Sequence, residues 1–237
     1  MKLIKFSVLA LTLSFAYFNA ANAQTADDII KKNIEANGGM ENWKKVKSVK
    51  MSGSINAQGQ EIQITRTVVQ DKASRMDMTI AGMANYQIIT DKEGWAYFPI
   101  GGQTKPEAMT ADDVKQSADE LDVQGPLVNY KEKGNTVTLI GKDDIEGTEC
   151  YKLKVTFKSG KEATLCIDAS SYFLIRETAK IKANGKETEQ TMNFSNYKKL
   201  PEGVTMPMTM SMDMGEMTFK SIEINPTIDE SIFKPKN

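Results

Sequence analysis

From Lys47 onward the chain alternates apolar and polar residues with a period of two. Val49, Met51, Gly53 and Ile55 share one phase, and after a turn at Gly59 so do Ile62, Ile64 and Val68. Met76, Met78 and Ile80 follow, then Tyr86 and Ile88, and Asp91-Lys92-Glu93-Gly94 turns the chain into Trp95-Ala96-Tyr97-Phe98. Such alternation gives each strand one apolar and one polar face. Short turns between runs of about 8–10 residues predict a meandering antiparallel sheet. The pattern resumes at 136–139. Tyr151, Leu153, Val155 and Phe157 pair across a turn with Ala163, Leu165 and Ile167, and further strands are expected at 173–175, around Ile181, at 192–194 and through 204–224. A sheet this long must curl, and helices are the natural cover for its apolar side.

Helical periodicity occurs in two places. Thr25-Ala26-Asp27-Asp28 caps a helix that carries Ile29, Ile30, Ile34 and Ala36 on one side, and Asn37-Gly38-Gly39 ends it. A second short turn, 40–46, carries Trp43 and Val46. The stretch 99–130 holds no good strand but a helix starting at Thr110, on which Val114, Ala118 and Leu121 form a thin apolar stripe. A long excursion from a compact sheet is usually functional, so this helix is expected to act as a lid.

The first 23 residues follow neither period. Lys2 and Lys5 precede the apolar run 6–16, and Ala21-Asn22-Ala23 is a small-x-small cleavage site. This is the pattern of a secretory signal peptide, too short to span a bilayer. It predicts export to a periplasm, without a lipid anchor, of a single domain spanning 24–237. The 30 Lys+Arg, less Lys2 and Lys5, stand against 31 Asp+Glu, a mature net charge of −3. No basic stripe suggests a nucleic-acid partner. The chain has no histidine, which removes the commonest general base and zinc ligand and leaves any Ser or Cys nucleophile without a triad partner. No catalytic residue, metal or cofactor is assigned, and the expectation is a protein that is not an enzyme. Cys150 and Cys166 are a candidate disulfide in an oxidising compartment. The strand phase sets them diagonal on the polar face, so two free, partly covered thiols remain the alternative.

Met206, Met208, Met210, Met212 and Met214 recur at every second position and on a strand would form one ladder. Three readings stand side by side: the lining of a plastic apolar cavity for ligands such as acyl chains, a soft-metal site for copper, or ordinary core. Met76 and Met78 lie on another apolar strand face and fit a Met-rich interior. Arg66 falls in phase with Ile62, Ile64 and Val68, where a charge is costly unless paired. It is a candidate to bond a lid or a lipid head group.

Several segments together resemble a known family. They are 26–43, running into 46–53; Gln124-Gly125-Pro126-Leu127-Val128-Asn129-Tyr130; Gly147-Thr148-Glu149-Cys150-Tyr151-Lys152-Leu153; and Ile228-Asp229-Glu230-Ser231-Ile232-Phe233-Lys234-Pro235. The chain resembles exported Bacteroidetes proteins labelled outer-membrane lipoprotein-sorting proteins, which are similar in architecture to the carriers LolA and LolB. The resemblance implies a mainly β fold: a curled antiparallel sheet forming an unclosed β-barrel, with an N-terminal helix and a helical lid over a cavity that takes acyl chains. The expected protein is a monomeric periplasmic carrier of lipid or acylated lipoprotein cargo, with inner- or outer-membrane envelope proteins as further partners. Its ligand site would comprise the Met206–Met214 ladder, Met76, Met78, Ile62, Ile64 and Arg66. A copper-binding protein or a ligand-free adaptor with a filled barrel is the alternative.

Overall fold

The first helix, α1 (Ala26–Ala36), begins with a reciprocal cap. Thr25 accepts from the Asp28 amide while the Asp28 carboxylate accepts from the Thr25 backbone. Asp27 and Asp28 also set negative charge against the helix dipole. Ile29, Ile30 and Ile34 are buried along one face. Gly38 and Gly39 adopt positive φ and stop the helix, the Gly39 amide donating to the Ile34 carbonyl at 2.8 Å. A short helix α2 (Met40–Trp43) follows, and the Trp43 indole donates to the Asn37 carbonyl at 2.9 Å. This computed structural model describes residues 24–57, 59–183 and 186–236. The segment read as a signal peptide lies outside the described residues.

Among the described residues, thirteen strands form one antiparallel sheet. The first meander is β1 (Ser48–Ala57), β2 (Gln60–Val69), β3 (Ala73–Ile80), β4 (Met83–Thr90), β5 (Gly94–Tyr97) and the short β6 (Glu107–Ala108). The second is β7 (Thr136–Ile145), β8 (Thr148–Thr156), β9 (Glu162–Asp168), β10 (Leu174–Ala183), β11 (Lys186–Lys199), β12 (Thr205–Met212) and β13 (Gly215–Ile224). β13 pairs with β1 and splices the two meanders, while β6 and β7 remain edges and the barrel is not closed. The expected mainly β, unclosed architecture is what the chain adopts.

Cross-strand register fixes which side chains share the inner face. One row runs Ile62, Ile55, Met217, Met210, Phe194. A second contains Met76, Arg66, Met51 and Ile222. A third, in the second meander, runs Leu139, Leu153, Leu165, Glu177, Met192. Helix α1 seats Ile29, Ile30 and Ile34 against Leu153, Val155, Leu165 and Ile167, together with Val49, Val204 and Ile224. Each such side chain contributes about 1.5–3 kcal/mol on burial, so α1 covers this part of the inner face as part of the core. The neighbouring cluster around Ile55, Ile64, Met217 and Phe219, with Met76, Met78, Met208, Met210 and Met212 half-buried against it, is built from strand residues alone. On the outer face, Phe233 packs with Ala73, Tyr86 and Ile88. Arg75 holds the C-terminal segment there by donating to the Ile232 carbonyl at 2.8 Å, beneath its ion pair with Asp77.

Candidate functional site

Between the two meanders the inner face leaves a cavity of about 1220 Å³. Its apolar floor includes Val49, Met51, Val68, Met192 and Met206, with Phe157 at one side. The size exceeds the usual ligand-pocket range of about 300–1,000 Å³. Residues 115–135 cross its mouth. Within them α3 (Ala111–Gln116) is capped by Thr110, ends at Ser117, and is followed by a 3-10 turn, Ala118–Leu121. The single lid helix expected from Thr110 is therefore broken, and its stripe is divided. Val114 lies beside Met109 and Gly94 of β5, Ala118 is exposed at the mouth, and Leu121 is buried.

Consecutive acids tie this turn to opposite walls. Arg66 donates to the Glu120 carbonyl at 3.1 Å and faces its carboxylate at 3.4 Å, with the two side chains 31% and 38% exposed. The Arg66 Nε is buried and unpaired among the described residues. From the other side, Ser159 in the β8–β9 turn donates to Asp119 at 3.1 Å. Beyond Leu121 the chain is stitched to the rim. The Asp71 amide donates to the Leu121 carbonyl at 3.0 Å, the Val123 amide donates to the Gln70 side chain at 2.8 Å, and Gln124 donates to the carbonyls of Trp43 and Val46. Lys133 forms a 2.7 Å ion pair with Asp122, both side chains about four-fifths buried. Residues 118–120 are thus held to the two walls through the Arg66 and Ser159 side chains, whereas 121–124 are also tied to the rim through backbone amides and carbonyls.

The structure brings only some of the sequence-predicted residues to this cavity. Met206 and Arg66 line it. Met208 borders a smaller groove of about 550 Å³ shared with Leu200, Ile222 and several lysines. Met210, Met212, Met76, Met78, Ile62 and Ile64 belong to the adjoining apolar cluster. Met214 departs from the expected ladder: β12 ends at Met212, and Met214 in the turn to β13 is 63% exposed. Cys150 and Cys166 are buried thiols, set diagonally because Cys150 opposes Asp168 while Cys166 opposes Lys152. Burial, and the neighbouring Cys150 sulfur, push the Cys166 thiol up to about 12. Glu177, Asp119, Ser159, Lys161, Met51 and Met192 were not singled out by sequence reasoning. For Glu177 a signal existed, since it alternates with Ile175 and Ala179 on β10. Among the described residues no group of three or more His, Cys, Asp or Glu could hold a metal ion, and no helix is long and apolar enough to cross a membrane.

A family model described as "-like: Uncharacterized protein" matches residues 79–237. The chain belongs to that family. No curated protein matches it in sequence. Its fold is similar to that of a LolA superfamily protein from Nitrosomonas europaea, at a TM-score of 0.55 and 13% identity over 89% of this chain and 97% of that one. It is likewise similar to a putative outer membrane lipoprotein-sorting protein domain from Vibrio parahaemolyticus, at a TM-score of 0.50 and 13% identity over 87% of this chain and 94% of that one. The fold is thus LolA-like, as the sequence segments suggested.

Proposed function

We propose that the protein is a periplasmic carrier that holds the acyl chains of a lipid or an acylated lipoprotein in the cavity under the 118–121 turn, and that it acts as a monomer without any covalent step. The observation that carries this reading is a roughly 1220 Å³ space with an apolar floor and a roof held by a two-point latch. Each methylene group entering it would contribute about 0.8 kcal/mol. Met51, Met192 and Met206 supply flexible thioether surface that adapts to chains of different shape. Arg66 would keep the roof closed until cargo shifts the equilibrium toward the open form. The similarity in fold to a putative lipoprotein-sorting domain supports this reading. The test is native mass spectrometry of detergent-free mature protein followed by organic extraction. A co-purifying lipid or acylated peptide is expected. A bare mass, together with no uptake of an added fluorescent fatty acid, would refute the carrier reading and favour a ligand-free adaptor.

A further inference from the structure

Inward-facing positions of a lipid cavity should be apolar, yet one carries an acid. Glu177 stands in the inner row between Leu165 of β9 and Met192 of β11, and its side chain lines the cavity. No hydrogen bond or ion pair among the described residues involves its carboxyl group. A carboxyl group withdrawn from much of its water without a partner is costly. Glu177 is partly buried on the cavity wall, and desolvation there drives its pKa upward.

The groups that face Glu177 leave the neck of the cavity short of positive charge. From the lid come Asp119 and Glu120, from β2 Arg66, and from the β8–β9 turn Lys161. Arg66 is spent on Glu120. Lys161 is near enough to attract both Glu177 and Asp119, but it forms no ion pair with either and sits over the Phe157 ring at 5.8 Å. Asp119 is half-buried, its pKa also raised chiefly by desolvation, and its one hydrogen-bonding partner is Ser159. Three carboxyl groups therefore share two cations. Lys44, Lys47, Asp71, Lys115, Glu132 and Lys158 also border the cavity, but all are exposed on its rim, where water screens them. Lys133 is committed to Asp122.

We propose that this neck is an ammonium subsite, and that the cargo is an amphiphile whose alkyl or acyl chain carries a primary amine which pairs with Glu177 and Asp119. The proposal rests on the reading of the cavity as an acyl-chain site. The chain would lie on Met51, Met192 and Met206, and the ammonium would supply the missing charge and hydrogen-bond donors beneath the lid. Because Asp119 is half of the latch, pairing it with cargo would also loosen its bond to Ser159, so binding of the head group and movement of the lid would be linked.

The experiment compares three probes with the same chain, hexadecylamine, hexadecanol and hexadecanoate, each below its aggregation limit, by displacement of a fluorescent acyl probe from the full mature protein. The amine is expected to bind roughly tenfold or more tightly than the alcohol, and the carboxylate more weakly than either. Glu177→Gln, nearly isosteric and checked for an unchanged melting profile shape, should bring the amine down to the alcohol. Lowering the pH toward 4 should do the same in the wild type. Equal affinities for amine and alcohol, or an amine preference that survives Glu177→Gln, would overturn the subsite and leave the acyl cavity standing. Failure of all three probes to displace the reporter would overturn the cavity reading and the subsite with it.

Discussion

Arg66 and Glu177 are the two charged residues that the inner rows of the barrel carry into the cavity, and their environments differ. Arg66 has a partner, the lid, but keeps one buried Nε without one. A half-exposed pair of this kind contributes about 0–1 kcal/mol to stability, so its value lies in holding the turn rather than in folding. Arg66→Leu should therefore leave the urea midpoint nearly unchanged and accelerate release of a fluorescent acyl probe several-fold in stopped flow. A release rate equal to wild type would rule out the latch. Glu177 has a folded-state pKa raised above its ordinary value of 4.5, first by desolvation. A folded state that holds this proton more tightly than the unfolded chain gains stability at low pH. That gain is lost as pH rises through the unfolded and then the folded pKa. Glu177→Gln should thus melt above wild type at pH 7, with the gap shrinking below about pH 4. Asp119, shifted in the same sense, leaves some pH dependence in the variant. A gap independent of pH would contradict this account. Arg66 was legible in the sequence because one arginine interrupts a clear apolar phase. Glu177 obeys the same rule in its alternation with Ile175 and Ala179, but the bulge between Leu174 and Arg176 puts Leu174 in the register opposite Ile167, so the alternating run around it is short.

At the scale of elements, the strands were readable wherever side chains alternate, because one face of each is buried and a slip by one residue would expose it. Two devices were not readable. One is the break at Ser117, where the chain leaves α3 for a 3-10 turn so that Asp119 and Glu120 can point to opposite walls. The stripe Val114, Ala118, Leu121 fits a continuous helix equally well, and only tertiary contacts decide against it. The other is the bulge at Ser52/Gly53, where β13 comes so close that a Cβ on Gly53 would run into the Thr218 carbonyl. Gly53→Ala should cost about 1–3 kcal/mol in urea unfolding, the range for forced overpacking, and an unaffected midpoint would mean that the two strands can separate freely. The methionine ladder can be tested in the same way. Replacing Met206, Met208, Met210 and Met212 by Leu preserves apolar volume at a cost below about 1.5 kcal/mol each. Acyl-probe affinity should stay within about threefold of wild type. Loss of acyl-probe binding by a folded quadruple variant would show that leucine cannot replace the thioether lining, whereas Cu(I) binding by the wild type that the variant loses would favour the copper reading.

For the whole molecule, the two meanders meet at β1 and β13, and the open side between β6 and β7 is spanned by the segment that roofs the cavity. On the carrier reading, cargo exchange depends on a motion that the sheet itself does not make. The floor is fixed by continuous backbone pairing and by α1, and the rim at residues 121–124 is fixed by main-chain hydrogen bonds. Residues 118–120 are held by the latch alone, Arg66 on one wall and Ser159 on the other. The Ser159 Oγ lies 3.1 Å from the Asp119 carboxylate, so a small inward shift of the turn would bring cysteines at these two positions to disulfide distance. In Asp119→Cys/Ser159→Cys the native cysteines are buried and should not compete for oxidation. The oxidised protein, prepared empty, is expected to take up a fluorescent fatty acid at a small fraction of the rate of the reduced form. Loaded first and oxidised afterwards, it should retain the probe against excess unlabelled acceptor, and reduction should restore exchange in both cases. Uptake unchanged by oxidation would show that cargo enters by another route, such as the gap beside the β7 edge, and that the 118–121 turn is a fixed part of the barrel.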